Sequence, residues 1–135
     1  MKKFYVDTCI WLDFLEDRKD GLKPLGEFAF QFFRNCRRCG CRLGYSEATL
    51  FELKRFGIDL EGTDFEFKDL LEVVHVTKEI NLAAKKIAAE RKLALGDVIH
   101  ALVAKENGLI VITRDNHFSL LKDVVDSFAP EEVIL

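Results

Sequence analysis

The sequence predicts an α/β fold: a mostly parallel central sheet of about four or five strands flanked by helices on both faces. Short runs rich in β-branched and aromatic residues, at 4–7, 42–45, 73–76 and 109–113, alternate with longer stretches of helical periodicity. That alternation favours parallel pairing, because each return crosses back over the sheet. The chain has 135 residues and is 49% hydrophobic, enough to fill one core, so residues 1–135 are expected to form a single domain.

The elements follow in order. Residues 4–7 read as a short buried strand, and 9–16 continue as a helix with Ile10, Trp11, Phe14 and Leu15 at helical spacing. Residues 21–26 begin and end with glycine and break the chain. A helix over 28–38 precedes a second strand over 42–45. Ser46 is a fitting N-cap for a helix that runs to Phe56 and stops at Gly57. Residues 59–63 are polar and turn-like, 65–71 suit a short helix, and 73–76 have the β-branched content of a third strand. The helix over 79–92 carries its apolar side on Ile80, Ala83, Ala84, Ile87 and Ala88. A break at Leu95-Gly96 then precedes a helix over 97–106, ended by Asn107-Gly108. Residues 109–113 form the fourth strand, 118–125 are mixed, and 133–135 offer an edge strand.

Lys and Arg number 20 against 23 Asp and Glu, a net charge of −3. No global positive field recruits nucleic acid, so a polyanion has to be held by local patches. Met1-Lys2-Lys3 leads into a strand rather than a signal peptide, and no apolar run approaches the roughly 20 residues of a membrane span. The expected location is the cytoplasm. Cys36-Arg-Arg-Cys39-Gly-Cys41 offers half of a zinc site, but His75, His100 and His117 show no paired spacing to complete it. Reduced, half-buried thiols are the simpler expectation.

Four acids are embedded in or abut apolar segments: Asp7, Glu52, Asp97 and Asp115. In an open parallel sheet ligands gather outside the carboxyl ends of the strands, where Asp7 and Asp115 lie. A crossover helix runs antiparallel to the strand it feeds, so the start of the Asp97 helix returns to that same edge. Glu52 lies about two turns into its helix, at roughly 1.5 Å per residue, and reaches the group through its longer side chain. Each acid also has a plainer role available. Asp7, Asp97 and Asp115 precede helix-like stretches, where an Asp N-cap contributes about 1 kcal/mol, and Glu52 is spaced to pair with Arg55. Capping alone does not predict convergence at one edge. Two carboxylates about 4 Å apart repel by about 4 kcal/mol at an effective dielectric of about 20, a cost that a divalent cation offsets. Mg²⁺ or Mn²⁺ takes oxygen ligands and suits phosphate-bearing substrates. Phosphodiester hydrolysis is the chemistry such a site favours.

Four segments, taken in order, carry a family resemblance: Tyr5-Val6-Asp7-Thr8; Ser46-Glu-Ala-Thr-Leu-Phe-Glu52-Leu53; Leu95-Gly96-Asp97-Val98-Ile99-His100-Ala101; and Val111-Ile112-Thr113-Arg114-Asp115, followed by Phe118. Over nearly the whole chain the sequence resembles the PIN-domain ribonucleases, especially the VapC-type toxins of prokaryotic toxin–antitoxin pairs. The resemblance implies a PIN-like, three-layer α/β/α fold and an endoribonuclease dependent on Mg²⁺ or Mn²⁺. It implies that Asp7, Glu52, Asp97 and Asp115 are catalytic metal ligands, directly or through water, with Thr8 and Thr113 as supporting polar groups. It further implies RNA as substrate, a homodimer, and a cognate antitoxin as partner. Glu47 is a nearby alternative to Glu52, which is preferred because Leu53 follows it. Some members place a further acid shortly after the one matching Asp115; here Asn116, His117 and Phe118 follow, which implies a weakly held second ion.

Arg34, Arg37, Arg38 and Arg42 form the densest basic group and are the candidate RNA-binding residues, weighed against an ordinary solvated face. Trp11, Phe14, Phe28, Phe30, Phe32 and Phe33 are expected in the core first and at a dimer or antitoxin interface second. Two other functions compete: a structure-specific DNA nuclease, and a catalytically weak RNA- or protein-binding module that holds a structural cation.

Overall fold

Strand side chains alternate between the two faces of a sheet, and here each face builds its own core. In β1 (Lys3–Val6), Phe4 and Val6 enter one core and Tyr5 the other; in β4 (Ile110–Ile112), Ile112 joins the first and Val111 the second. The computed structural model describes residues 3–135. With β2 (Arg42–Tyr45), β3 (Leu71–Val73) and β5 (Ser127–Phe128), these strands form one wholly parallel five-stranded sheet in the order β3-β2-β1-β4-β5.

Helices α1 (Thr8–Leu15) and α2 (Leu25–Cys39), with Leu53 of α3 (Glu47–Lys54), cover the first face. Helices α4 (Lys78–Arg91) and α5 (Leu95–Glu106), with the 3-10 turn Asn116–Leu121, cover the second. The result is the expected three-layer α/β/α arrangement. Among the described residues no helix is long and apolar enough to cross a membrane.

The first core is aromatic. Trp11 and Phe33 lie 5.0 Å apart, Phe14 and Phe33 5.1 Å, and Phe4 and Phe32 5.1 Å, while Phe67 joins Phe14, Phe30 and Phe33. Phe28 lies under the Arg114 guanidinium. The aromatic surplus of the first helices is thus spent on internal packing. Cys36 and Cys41 are buried, Cys39 is exposed, and no disulfide joins cysteines among the described residues. Among the described residues, only groups of Asp, Glu and His come together with metal-holding geometry, so the cysteines build no zinc site.

Several boundaries differ from expectation, each for a packing reason. The third strand is Leu71–Val73, not 73–76, because Phe67 and Leu70 drop into the first core and fix Leu71 opposite Leu43. The expected helix at 65–71 shortens to the 3-10 turn Lys68–Leu70 as Phe65 and Phe67 join the aromatic cluster. The edge strand is Ser127–Phe128 rather than 133–135, held by Val111 N–H donating to Asp126 O and Thr113 N–H to Phe128 O. Leu95 and Gly96 are the first residues of α5, not a break before it. Gly26 lies inside α2, where a β-carbon would stand 2.6 Å from Asp17 Oδ1 and 2.8 Å from Asp13 O.

Gly44 sits in β2 between two neighbouring strands, and a β-carbon there would lie 2.9 Å from the Phe4 carbonyl oxygen and 3.3 Å from Leu109 Cδ1. Backbone cannot swing aside as a side-chain tip can. Gly44→Ala is therefore expected to cost about 2 kcal/mol of stability through overpacking, read as a lower urea midpoint; an unchanged midpoint would show that the strands spread at no cost.

Candidate active site

Parallel neighbours end together, and the pairing of Val6 with Ile112 brings the residues that follow them to one place. Asp7 N–H donates to Ile112 O at 2.9 Å, and Thr113 Oγ1 donates to Asp7 Oδ2 at 2.7 Å. The same hydroxyl accepts from the Asp115 N–H at 3.0 Å, so one threonine holds both loop acids. Asp7 Oδ1 caps α1 by accepting from Thr8 N–H, and Asp115 Oδ1 accepts from His117 N–H. Both caps are real, yet each occupies only one carboxylate oxygen with its backbone bond. Asp97 is not a cap: α5 begins two residues earlier and Ala94 holds that position without a side-chain bond.

The sequence-predicted acids fall into two groups. Asp7, Glu52 and His100 each offer a ligand atom within 4.8 Å of the others, and so do Asp97, Asp115 and His117. Asp97 senses both groups. Burial first, then the charges of Asp115 and Asp7, push its pKa from an ordinary 3.8 to about 6. His117 Nδ1 lies 2.9 Å from Asp115 Oδ1 and 3.7 Å from Asp97 Oδ2.

Glu52 is held from two sides: Thr8 Oγ1 donates to its Oε1 at 2.6 Å, and His100 Nε2 lies 2.5 Å from the same oxygen. Its other oxygen stands 3.1 Å from where a β-carbon on Gly96 would be, so α5 leaves that space with a glycine. Behind His100, Nδ1 meets Tyr5 OH at 2.5 Å, and that hydroxyl lies 2.7 Å from Ser46 Oγ and 3.2 Å from Thr49 Oγ1. Burial works to raise the Glu52 pKa, but the His100 bond and charge and the Thr8 hydroxyl outweigh it and hold it below the usual range. Burial likewise works to lower His100, but Tyr5, Glu52 and Asp7 raise it above an ordinary histidine. Cys9 Sγ lies 3.4 Å from Asp7 Oδ2, and burial, then Asp7, pushes its pKa up to about 12, so it stays a thiol.

Residues 4–124 match the model of the PIN domain family. The chain belongs to the PIN domain family. PIN domains are generally nucleases that use divalent metals. No curated protein matches the chain. Among solved structures it is similar to the crystal structure of FitAcB from Neisseria gonorrhoeae, with a TM-score of 0.63 and 19% identity, covering 96% of this chain and 99% of that one. A toxin–antitoxin complex from Klebsiella pneumoniae gives a TM-score of 0.63 and 19% identity over 96% of this chain and 99% of that chain. VapBC2 from Rickettsia felis, bound to a DNA fragment from their promoter, gives 0.64 and 11% over 94% of this chain and 98% of that one. At these identities the likeness establishes the fold.

The donor set of this PIN domain fits a hard cation: carboxylates of Asp7, Glu52, Asp97 and Asp115, with hydroxyls and imidazoles around them. The raised pKa of Asp97 registers negative charge that such an ion would offset. Glu47 does not join the acids; it faces His75 Nδ1 and the Val76 N–H. The Arg55 guanidinium lies over the Phe51 ring, and it acts on Glu52 through its charge, the smallest of the influences that lower the Glu52 pKa.

The topology places the arginine group at the other end of the strands from the acids. Arg37 and Arg38 end α2 and Arg42 starts β2, opposite Lys3 at the beginning of β1. The acids lie past the other end of these strands, about 10 Å or more away at roughly 3.3 Å per residue. Arg37 is also engaged by both Asp69 oxygens, and Arg42 by Leu71 O and Glu72. Residues missed by sequence reasoning are His100, Tyr5 and His117. Two carried a signal: His100 follows Asp97 by one helical turn, and His117 is two residues past Asp115.

Asp97 sets a pH dependence of stability. Its carboxyl keeps a proton up to about pH 6 when folded but releases it near 3.8 when unfolded. The folded state therefore binds more protons in that window, and stability falls as pH rises through it. Asp97→Asn is expected to stabilise the metal-free protein by about 1–2 kcal/mol at about pH 7.5 and to have little effect near pH 4. Urea unfolding of both proteins at the two pH values checks this, and an equal difference at both would contradict it.

Proposed function

We propose that this protein is a Mg²⁺- or Mn²⁺-dependent endoribonuclease, the toxin component of a toxin–antitoxin pair acting in the cytoplasm. The convergence of Asp7, Asp97 and Asp115 with Glu52 at the carboxyl edge of a PIN sheet carries this reading. Shared fold with a chain of a toxin–antitoxin complex supports the toxin assignment, and a homodimer and a cognate antitoxin go with it.

In this reading Asp7, Glu52, Asp97 and Asp115 hold the ion, directly or through water. When bound, the ion polarises a phosphoryl oxygen of RNA and lowers the pKa of a coordinated water. The chain's own residues keep the acids aimed. Thr113 fixes Asp7 to the Asp115 loop, Thr8 and His100 fix Glu52, and Tyr5 anchors His100 to the buried hydroxyls of Ser46 and Thr49. At the exposed rim His117 lies with its ring nitrogen 2.9 Å from Asp115 and donates its backbone N–H to the same oxygen.

Labelled RNA and DNA incubated with and without Mn²⁺ test this. Wild type is expected to cleave RNA only with the metal, and Asp115→Asn to lower the rate by at least about 100-fold while remaining folded. Cleavage of DNA alone favours the structure-specific DNA nuclease, and Mn²⁺-induced thermal stabilisation without turnover of either substrate favours the binding module. RNA cleavage that survives both EDTA and Asp115→Asn sinks the reading.

A further inference from the structure

A strand cut at the acids has to continue past them, and beside Asp115 the surface opens into a cleft of about 510 Å³, within the size range of small-molecule sites. One wall is the loop before α2, the other the segment from the 3-10 turn to β5. Building on the nuclease reading above, we propose that this cleft holds the nucleotide next to the scissile phosphodiester of single-stranded RNA, with its phosphate on Lys23 and Lys122 and its base against Phe128.

The cations are available. Arg114 also lines the cleft, but its guanidinium is committed to Glu131 at 2.6 and 2.7 Å and lies 3.4 Å from Asp13. Lys23 and Lys122 are exposed, and among the described residues neither makes an ion pair or a side-chain hydrogen bond. Lys23 is placed by a tight turn: Asp20 and Lys23 exchange backbone bonds of 2.9 Å in each direction, and Gly21 takes φ +60° between them. Asp20 and Glu132 face the same cleft, with Glu132 Oε1 accepting from Ala129 N–H. Two ammonium groups amid these acids suit one phosphate rather than a long run of them.

The aromatic component is built into the sheet edge. Phe128 is 42% exposed, and its carbonyl accepts from the N–H of Thr113, the residue that holds Asp7 and Asp115. Its backbone is thereby fixed relative to the acids. An exposed ring beside unpaired lysines is the combination that single-stranded nucleic acid recognition uses, stacking for the base and charge for the backbone. Asn116 and Ser119, also on the cleft, present amide and hydroxyl groups to a base edge.

Steady-state cleavage of a fluorophore–quencher single-stranded RNA octanucleotide with Mn²⁺ tests the cleft. Lys23→Ala/Lys122→Ala is expected to raise KM about tenfold with kcat within about twofold, and to flatten the salt dependence of kcat/KM by about 0.7 log units per log unit of salt, the slope for one phosphate on a single strand. Phe128→Ala should raise KM by roughly 5- to 150-fold. Lys85→Ala/Lys86→Ala, on α4 away from the cleft, should leave both parameters unchanged. A KM and salt slope unaltered in the Lys23/Lys122 variant, or a kcat collapse at constant KM, overturns the cleft assignment while leaving the nuclease standing. Absence of RNA cleavage by wild type removes both. Matching thermal midpoints across the variants establish that they are folded.

Discussion

Asp7, Asp97 and Asp115 repel one another, and the fold has to hold them against that repulsion. It does so through the centre of the sheet. β1 and β4 are adjacent and in parallel register, so the residues just beyond Val6 and Ile112 are forced together whatever their charge. Thr113 then links the two loops with a hydroxyl that donates to one acid and accepts from the backbone of the other. Glu52 is held by the opposite device, a histidine buried among its partners. Because His100 also meets Tyr5, a core residue of β1, its ring cannot turn away from Glu52 without leaving a buried imidazole unsatisfied.

This dependence explains why much of the site was legible before any coordinates. Strand ends and crossover direction are topological, and they are enough to place Asp7, Asp115 and Asp97 at one edge. Glu52 was placed by the reach of its side chain and by resemblance, but the reason it stays there, a bond to His100, crosses 48 residues of sequence and leaves no periodic trace. The position of the arginines was hidden for a related reason. Arg34, Arg37, Arg38 and Arg42 are close in sequence, but closeness says nothing about which edge of a sheet they reach, and α2 delivers them to the start of β2.

Secondary structure was misread where side-chain packing outweighed local preference. Val73, Val74 and Val76 have strong strand propensity, but the burial of Leu70 sets the register two residues earlier. Leu95-Gly96 resembled a helix stop, whereas the glycine serves inside α5 by leaving room for the Glu52 carboxylate. Ser127–Phe128 has little to announce a strand. Its pairing is an edge contact two residues long, dictated by β4 beside it.

The strand order β3-β2-β1-β4-β5 also governs when the protein comes into being during translation. β1 emerges from the ribosome first, yet its second neighbour, β4, is not made until residue 110. A nascent chain that has exposed β1, β2 and β3 displays three of the five strands, with Asp7 lacking Thr113 and Asp115 beside it. The acidic pocket closes only once Thr113 and Asp115 have been made and have docked beside Asp7.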